Sequence, residues 1–347
     1  MRRFSCDCGH PLFFESTSCT NCDNEVGYDP DSADMVTLKG ASRIGSLFGK
    51  SGDFEYCLNG QKHQVCNWLV RPEQSGSLCK GCLFNRTIPD LSRPDNPTRW
   101  HRFEQAKKRL LYSLYTLNLP LTNGWQDQKN GLLFDFIEDQ RTNPVLVESF
   151  VSTGYLSGII TINTIEADDI AREATKNKMN ESYRTLLGHL RHESGHYYYS
   201  FLSKFPDLQD EFANLFGDAS QDYQQSLDRY YTEGPPKSWS NSFISSYASS
   251  HLLEDWAECW SHYQHLTDTL ETASSYEMVK GQVRHDDFRS MANLWRSFAV
   301  ALNELNRSIG LGDAYPFVIT QTIERKLAFV GKMVSRLSQI HRAMEVR

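Results

Sequence analysis

The sequence holds one His-Glu-x-x-His motif, formed by His192, Glu193 and His196, and this motif constrains the fold more than any other feature. Residues four apart lie on the same face of a helix, so two histidines at this spacing can bind one zinc ion. The glutamate beside the first histidine can then reach a zinc-bound water. Apolar residues recur around the motif at three- and four-residue steps without a proline, which predicts a helix over residues 182–204. The alternative is a solvated helix face with two incidental histidines.

A catalytic zinc ion takes three protein ligands and leaves a fourth position for water, so a third ligand must lie elsewhere. The residues after His196 read YYYSFL and exclude the third histidine of the metzincin pattern. The best candidate is Glu254, and we expect Glu258, four residues later on the same helix face, to accept a hydrogen bond from a ligating histidine. His251 is the second candidate for the third ligand. Further donors in the same predicted helix, residues 250–272, are Asp255, His262 and His265.

Eight of the nine cysteines form two sets with the short spacing of structural zinc sites. The first set is Cys6, Cys8, Cys19 and Cys22. The second set is Cys57, Cys66, Cys79 and Cys82. We expect one structural zinc ion in each set. A cross-braced arrangement that shares ligands between the sets stays open, with His10 and His63 as reserve ligands.

Disulfide bonds are the alternative interpretation of these cysteines. The N-terminal stretch MRRFSCDCGH has no apolar core of an export signal, so we expect a cytoplasmic protein with reduced thiols. The ninth cysteine, Cys259, is predicted to be a buried free thiol.

The chain of 347 residues is long enough for small zinc modules and a catalytic domain. We expect an α+β fold, with zinc-ribbon or zinc-knuckle modules followed by a zincin-like metallopeptidase domain whose C-terminal half is mostly helical. The predicted domains are a zinc ribbon at 1–35, a second, four-cysteine zinc module at 53–98, and the metallopeptidase domain at 99–347, with a glycine-containing linker near 36–52.

Further elements follow from the hydrophobic pattern. The predicted helices are residues 99–118, 284–308 and 318–345, and the predicted strands are 131–139, 144–149 and 158–164. The strand at 158–164 could lie at a sheet edge and pair with an extended substrate, or it could be internal. A polar insertion at 208–247 separates His196 from Glu254 and could form a lid or substrate loop.

Charge and hydropathy exclude two classes of partner. The net charge of −7 argues against a general nucleic-acid binder, which needs clustered lysine and arginine. No run of 18 apolar residues occurs, so we expect no membrane span.

The residues Glu254, Trp256 and Glu258 resemble the ExWxD/E segment of gluzincin peptidases, in which the first acid binds zinc and the acid four residues later supports a histidine. The whole chain resembles a bacterial family of zinc-binding metallopeptidases that carry an N-terminal zinc ribbon. The stretches that carry this resemblance are CNWLV at 66–70, NRTIPDLS at 85–92, AKKRLLYSLYTL at 106–117, GIITINTIEADD at 158–169, YRTLLGHLRHESGHYY at 183–198, LLEDWAECWSHY at 252–263 and LNRSIGLGDAYPFV at 305–318. One departure is a leucine at 252 or 253 where the family pattern has a proline. The resemblance implies a zinc-peptidase fold and names no substrate.

We therefore predict a zinc-dependent peptidase or amide hydrolase with one catalytic and two structural zinc ions. Glu193 would take a proton from the zinc-activated water and pass it to the leaving amine. Candidate donors to the oxyanion are Tyr247, His251 and Tyr315, for each of which a packed aromatic ring or a solvated histidine is the alternative.

Two other functions remain open from the sequence. The chain could be a non-catalytic adaptor whose zinc ribbons bind protein or nucleic acid, with a structural metal in the His-Glu-x-x-His motif. It could also be an amidase that acts on a modified peptide, a peptidoglycan fragment or a conjugated protein. In the peptidase interpretation the substrate is a peptide or protein, and the zinc modules bind a protein partner or pack on the catalytic domain.

Overall fold

The computed structural model describes residues 1–38, 54–178, 183–281, 283 and 287–345. The chain forms two compact units. The first unit holds residues 1–112 and 122–169, and the second holds residues 113–121 and 170–347. The fold is a mixed α+β fold with cysteine clusters in its N-terminal part and a helical C-terminal part, as the sequence predicts.

Three short antiparallel pairs of strands begin the first unit. They are β1 (Phe4–Ser5) with β2 (Pro11–Leu12), β3 (Glu25–Asp29) with β4 (Asp34–Leu38), and β5 (Glu55–Tyr56) with β6 (Leu69–Val70), the last pair enclosing the short helix α1 (Leu58–His63). The rings of Phe14, Tyr28 and Trp68 pack between them, with centroids 4.8 Å apart for Phe14–Tyr28 and 5.0 Å for Tyr28–Trp68. Residues 36–38 of the predicted linker near 36–52 belong to β4, and the rest of the predicted linker lies outside the described residues.

A four-stranded sheet and one long helix complete the first unit. In chain order they are β7 (Asn85–Thr87), α2 (Asn96–Thr116, whose last four residues belong to the second unit), β8 (Leu133–Ile137), β9 (Gly154–Leu156) and β10 (Ile159–Asn163). The sheet order is β7-β8-β10-β9, parallel except for the β9–β10 hairpin. The two residues of that hairpin turn, Ser157 and Gly158, have φ of 48° and 84°, the left-handed conformation that a tight hairpin turn needs.

The sheet confirms two of the three predicted strands and corrects the third. The segments 131–139 and 158–164 contain β8 and β10, whereas 144–149 forms no strand. Val145 and Val147 are 80% and 88% exposed, so the apolar run that suggested a strand has no partner to bury it. The edge position considered for β10 is also wrong, because β8 and β9 pair with its two sides.

The second unit is helical in the part that the structure describes. Its helices are α3 (Asp169–Lys178, whose first residue belongs to the first unit), α4 (Leu186–Tyr199), α5 (Pro206–Phe216), α6 (Tyr223–Glu233), α7 (Leu252–Ser275), α8 (Phe288–Ser308) and α9 (Gln321–Glu345). Helices α4, α7, α8 and α9 confirm predicted helices, with α4 starting later than residue 182. The insertion at 208–247 is not one long loop, since it contains most of α5 and all of α6.

Helices α4 and α7 pack at very short range. A Cβ atom at Gly195 would lie 2.9 Å from the Cα of Ala257 and 3.1 Å from the Cβ of Trp260. The indole N–H of Trp256 donates to the Gly195 carbonyl at 2.8 Å, so α7 is tied to the backbone of α4 at the same place. The absence of a side chain at this position therefore lets α7 approach α4 this closely. None of the described helices combines the length and apolar composition that a membrane span requires.

Candidate metal centre

Helix α4 presents His192 and His196 on one face, with ring centroids 5.0 Å apart. The hydroxyl of Thr185 accepts the backbone N–H of Gly188 at 3.0 Å and caps the start of the helix. The motif therefore lies inside a formed helix, where the four-residue spacing brings the two imidazoles together.

Helix α7 supplies the third donor, Glu254, in its first turn. Glu254 Oε2 lies 2.9 Å from His192 Nε2, and Oε1 lies 3.6 Å from His196 Nε2. One donor atom from each of the three residues lies within 4.8 Å of the others. Burial raises the pKa of Glu254, but the bonds to the two imidazoles outweigh burial and hold this pKa well below its ordinary value. The carboxylate therefore stays ionised.

The carboxylate of Glu258 faces the other nitrogen of the first histidine. Glu258 Oε1 lies 2.7 Å from His192 Nδ1, which fixes a proton on Nδ1 and leaves Nε2 for a metal. Burial raises the pKa of Glu258, but the bond to His192 and its charge outweigh burial and lower this pKa to about 2. The pKa of His192 is raised well above its ordinary value, because the bonds to Glu254 and Glu258 outweigh the effect of burial.

The side chain of Glu193 is buried beside the three donors. Its Oε1 lies 3.3 Å from His189 Nε2, whereas Oε2 is buried and has no hydrogen-bond partner among the described residues. Burial raises the pKa of Glu193, but the bond from His189 and the charges of His192 and His196 lower it overall. A buried, ionised oxygen without a donor indicates a place for a ligand or a reacting proton.

The three candidate oxyanion donors have different surroundings. The Tyr247 ring lies 6.0 Å from the His192 ring, centroid to centroid, at the metal cluster. His251 Nδ1 accepts the N–H of Leu253 at 3.1 Å, so this residue caps α7 and stays outside the cluster. Tyr315 donates to His262 Nδ1 at 2.8 Å. Its hydroxyl is therefore already engaged.

The other donors of the α7 segment have partners of their own. Asp255 Oδ2 accepts from Lys326 Nζ at 2.5 Å, and His265 Nδ1 accepts from Arg191 at 2.6 Å. Burial lowers the pKa of His262 to about 4, so its ring is neutral at pH 7. Cys259 is a buried free thiol, as the sequence predicts.

Two residues that touch this centre were not predicted from the sequence. His189 lies four residues before Glu193, one helical turn away, so its contact could have been expected. Tyr223, on α6, donates from its hydroxyl to Glu254 Oε1 at 2.7 Å. Tyr223 and Glu254 are 31 residues apart in the chain, and no spacing rule predicts their contact.

In the first unit, the eight remaining cysteines form two separate clusters, each within 4.8 Å. The Sγ atoms approach to 3.6 Å in the pairs Cys6–Cys22, Cys8–Cys19, Cys57–Cys82 and Cys66–Cys79. Four thiolates around a zinc ion at its usual Zn–S distance lie about 3.8 Å apart, whereas a disulfide needs about 2.05 Å. The two clusters therefore fit zinc, and each is formed by its own set, without cross-bracing. His10 bonds to Thr20 and His63 packs against Trp100, so neither reserve ligand joins a cluster.

Charged residues of α2 lie beside the second cysteine cluster. Glu104, Lys107 and Lys108 are all buried, with Lys107 Nζ 2.7 Å and Lys108 Nζ 3.4 Å from the Glu104 carboxylate. Burial lowers the pKa of Lys108, but the thiolate of Cys66 and the carboxylate of Glu104 outweigh it and raise this pKa well above its ordinary value. The ammonium group stays charged beside the cysteines.

Comparison with known proteins finds zinc-related families over both parts of the chain. Residues 3–93 match a zinc-ribbon domain, and residues 96–333 match the family described as "Putative zinc-binding metallo-peptidase". Uncharacterized proteins of Mycobacterium bovis and Mycobacterium tuberculosis are 36% identical to the chain, over 97% of its length and 96% of theirs. No protein of solved structure is significantly similar to it. With His192, His196 and Glu254 gathered inside the matched region, the chain belongs to this zinc-binding metallopeptidase family and carries its zinc ribbon at the N-terminal end.

Proposed function

We propose that the second unit hydrolyses a peptide or amide bond with a gluzincin-type centre, in which His192, His196 and Glu254 hold the zinc ion. The observation that carries the proposal is Glu193 Oε2, buried beside these donors without a hydrogen-bond partner among the described residues. A purely structural metal site has no use for such an oxygen, because leaving it without a donor is unfavourable by about 1–3 kcal/mol.

Bound zinc supplies Lewis-acid chemistry, which polarises the scissile carbonyl and makes water acidic near neutral pH. Glu193 is ionised at neutral pH because its pKa is lowered, so Oε2 can accept the proton of the attacking water. The water oxygen bonds to the carbonyl carbon, and Glu193 returns the proton to the amine nitrogen as the C–N bond breaks. Glu258 keeps His192 in the tautomer that leaves Nε2 for the metal.

Tyr247 is the best supported oxyanion donor of the three candidates. His251 is engaged as a helix cap and Tyr315 by His262, whereas the Tyr247 ring packs beside His192. Burial and the charge of Glu254 raise the pKa of Tyr247 well above its ordinary value, so its hydroxyl keeps the proton that an oxyanion donor must offer.

We propose two structural zinc ions in the cysteine clusters, and thus three zinc ions per chain. The 3.6 Å spacing of the thiols supports this stoichiometry. The zinc modules would bind a protein partner, and the substrate would be a peptide, a protein or an amide-linked conjugate.

The test is a Glu193→Gln variant of the full chain, with Glu233→Gln on the exposed end of α6 as matched control. Zinc content is measured by native mass spectrometry, and hydrolysis is measured by mass spectrometry of a diverse peptide and amide library. We expect Glu193→Gln to keep three zinc ions and to lose hydrolysis by about 100-fold or more, while the control keeps both. A wild-type chain that holds zinc and cleaves nothing, or undiminished cleavage by Glu193→Gln, would contradict the proposal.

A further inference from the structure

The metal ligand Glu254 is covered by a residue from the insertion between α4 and α7. Tyr223, in the first turn of α6, places its hydroxyl 2.7 Å from Glu254 Oε1. The Tyr223 side chain is 40% exposed and Glu254 is 1% exposed, so the ring reaches from the surface to a buried carboxylate. The hydroxyl keeps its proton, since burial and the negative charge of Glu254 raise the pKa of Tyr223.

The two oxygens of Glu254 therefore have different neighbours. Oε1 accepts the hydrogen bond from Tyr223 and lies 3.6 Å from His196 Nε2, whereas Oε2 lies 2.9 Å from His192 Nε2. A hydrogen bond to a ligating carboxylate is of the charge-assisted, stronger kind, and it competes with metal binding at the same oxygen. A carboxylate held in this way offers one oxygen to a metal, and one coordination position stays open.

We propose that Tyr223 is a positioning residue that holds Glu254 as a one-oxygen ligand of the metal, a role that rests on the zinc centre proposed above. Its effect is exerted through Glu254, and no contact with substrate is required. The residue lies outside the His-Glu-x-x-His and Glu-x-x-x-Glu patterns, so neither pattern assigns it.

The position of Tyr223 is fixed by the residue that begins the Glu254 helix. His251 caps α7 through Nδ1, and its Nε2 donates to the carbonyl of Gln221 at 3.3 Å, next to the start of α6. The Tyr223 and His251 rings pack edge to face with centroids 5.1 Å apart. One imidazole thus ties the start of the helix that carries Glu254 to the start of the helix that carries Tyr223.

The test compares the Tyr223→Phe variant with wild type and with a Tyr230→Phe control. Tyr230 is on the same helix, and its hydroxyl lies 3.4 Å from Ser246 Oγ. Metal affinity is measured by competition with a chelator. The visible spectrum is measured after cobalt is added to protein whose cysteine clusters are filled with zinc. A His192→Ala/His196→Ala double variant supplies the baseline that isolates the third site.

We expect Tyr223→Phe to bind the third metal about 10- to 100-fold more weakly, because Glu254 loses the hydrogen bond that orders its carboxylate. The cobalt spectrum should also change, because Glu254 is then free to present both oxygens to the metal. Tyr230→Phe should match wild type in both measurements. A His251→Asn variant keeps an acceptor at the helix cap and loses the Nε2 bond, so it should shift affinity in the same direction by a smaller factor.

Two outcomes separate this inference from the proposed function. A wild-type chain that takes up no third metal overturns the zinc centre and the role of Tyr223 with it. A wild-type chain that binds the third metal, beside a Tyr223→Phe variant with the same affinity and cobalt spectrum, overturns the role of Tyr223 alone. A lower unfolding temperature with an unchanged spectrum has the same meaning, since it assigns Tyr223 a merely structural role.

Discussion

The second cysteine cluster and the His192–His196–Glu254 centre are both buried, but the charges around them have opposite signs. A zinc ion with four thiolates carries a net charge of about −2, and the structure places buried lysines, Lys108 among them, on that side. A zinc ion with two imidazoles and one carboxylate carries about +1, and the carboxylates of Glu193 and Glu258 lie beside it. Each unit therefore places charge of the opposite sign beside its own centre, as a buried charge requires.

The two centres also differ in how many positions the protein fills. The second cysteine cluster consists of four thiols, the number of ligands that zinc takes in a tetrahedral structural site. Three donors gather in the second unit, with an unpartnered carboxylate oxygen beside them among the described residues. Four donors suit a structural ion, whereas three donors leave one position for water or substrate in the centre proposed above.

The largest expected effect comes from emptying each centre in turn. A Cys79→Ser/Cys82→Ser variant should lose one zinc ion and unfold the first unit, because structural zinc contributes about 10–16 kcal/mol of folding free energy, comparable to the stability of a whole domain. A His192→Ala/His196→Ala variant should also lose one zinc ion but keep both units folded. Zinc content together with hydrogen exchange resolved by peptide measures both. Equal protection of residues 54–112 from hydrogen exchange in the two variants would mean that the cysteine cluster contributes no more to folding than the other centre.

A smaller effect is expected from removing the cation that faces the thiolates. Lys108→Met should destabilise the first unit by about 3 kcal/mol. This value is at the lower end of the cost of breaking a buried ion pair, because Glu104 keeps its contact with Lys107. Zinc should also be lost to a chelator faster. Chemical unfolding and chelator competition measure the two effects, with Lys80→Met, on an exposed ion pair beside Cys79, as control. Equal behaviour of the two variants would mean that Lys108 does not balance the cluster.

The smallest effect concerns pH at the open centre. The raised pKa of His192 means that zinc displaces a proton there, so zinc affinity should rise about tenfold per pH unit from pH 6 until that pKa is passed. The stability of the metal-free protein should instead fall as pH rises. The stability that protonated His192 contributes is fully present below its unfolded pKa of 6.5 and is lost as pH rises through the folded pKa. Glu258→Gln should weaken zinc about 10- to 100-fold and flatten this dependence. Titration calorimetry at several pH values measures how zinc affinity changes with pH. Identical slopes for wild type and Glu258→Gln would show that Glu258 does not cause the raised pKa of His192.

Local spacing predicted the features that local geometry decides. The helix around His192 and Glu193 and the two cysteine sets follow from residues a few positions apart. The candidate Glu254 followed from the need for a third ligand and from the four-residue step to Glu258. The fold class followed from the same zinc spacing and from the apolar periodicity of the later helices.

The features that escaped prediction depend on tertiary contact. Tyr223 contacts Glu254 although 31 residues separate them, and no local pattern indicates that Lys108 is buried. The valines of 144–149 suggested a strand because strand propensity counts side chains and not the partners that bury them. In the insertion, the buried residues Leu208, Phe212 and Phe216 recur every fourth position, a helix signal that the polar composition of the segment concealed.

The hydrogen atom that takes the place of a side chain at Gly195 sets the width of the metal centre. A methyl group there would meet Ala257 at 2.9 Å, so α7 would have to move away from α4. Glu254 lies one turn before Ala257 on α7 and would move with it, while both histidines stay on α4. The separation of the two helices is therefore as much a part of the proposed metal site as its donor atoms. A Gly195→Ala substitution should move Glu254 away from both histidines and weaken metal binding, which competition with a chelator measures.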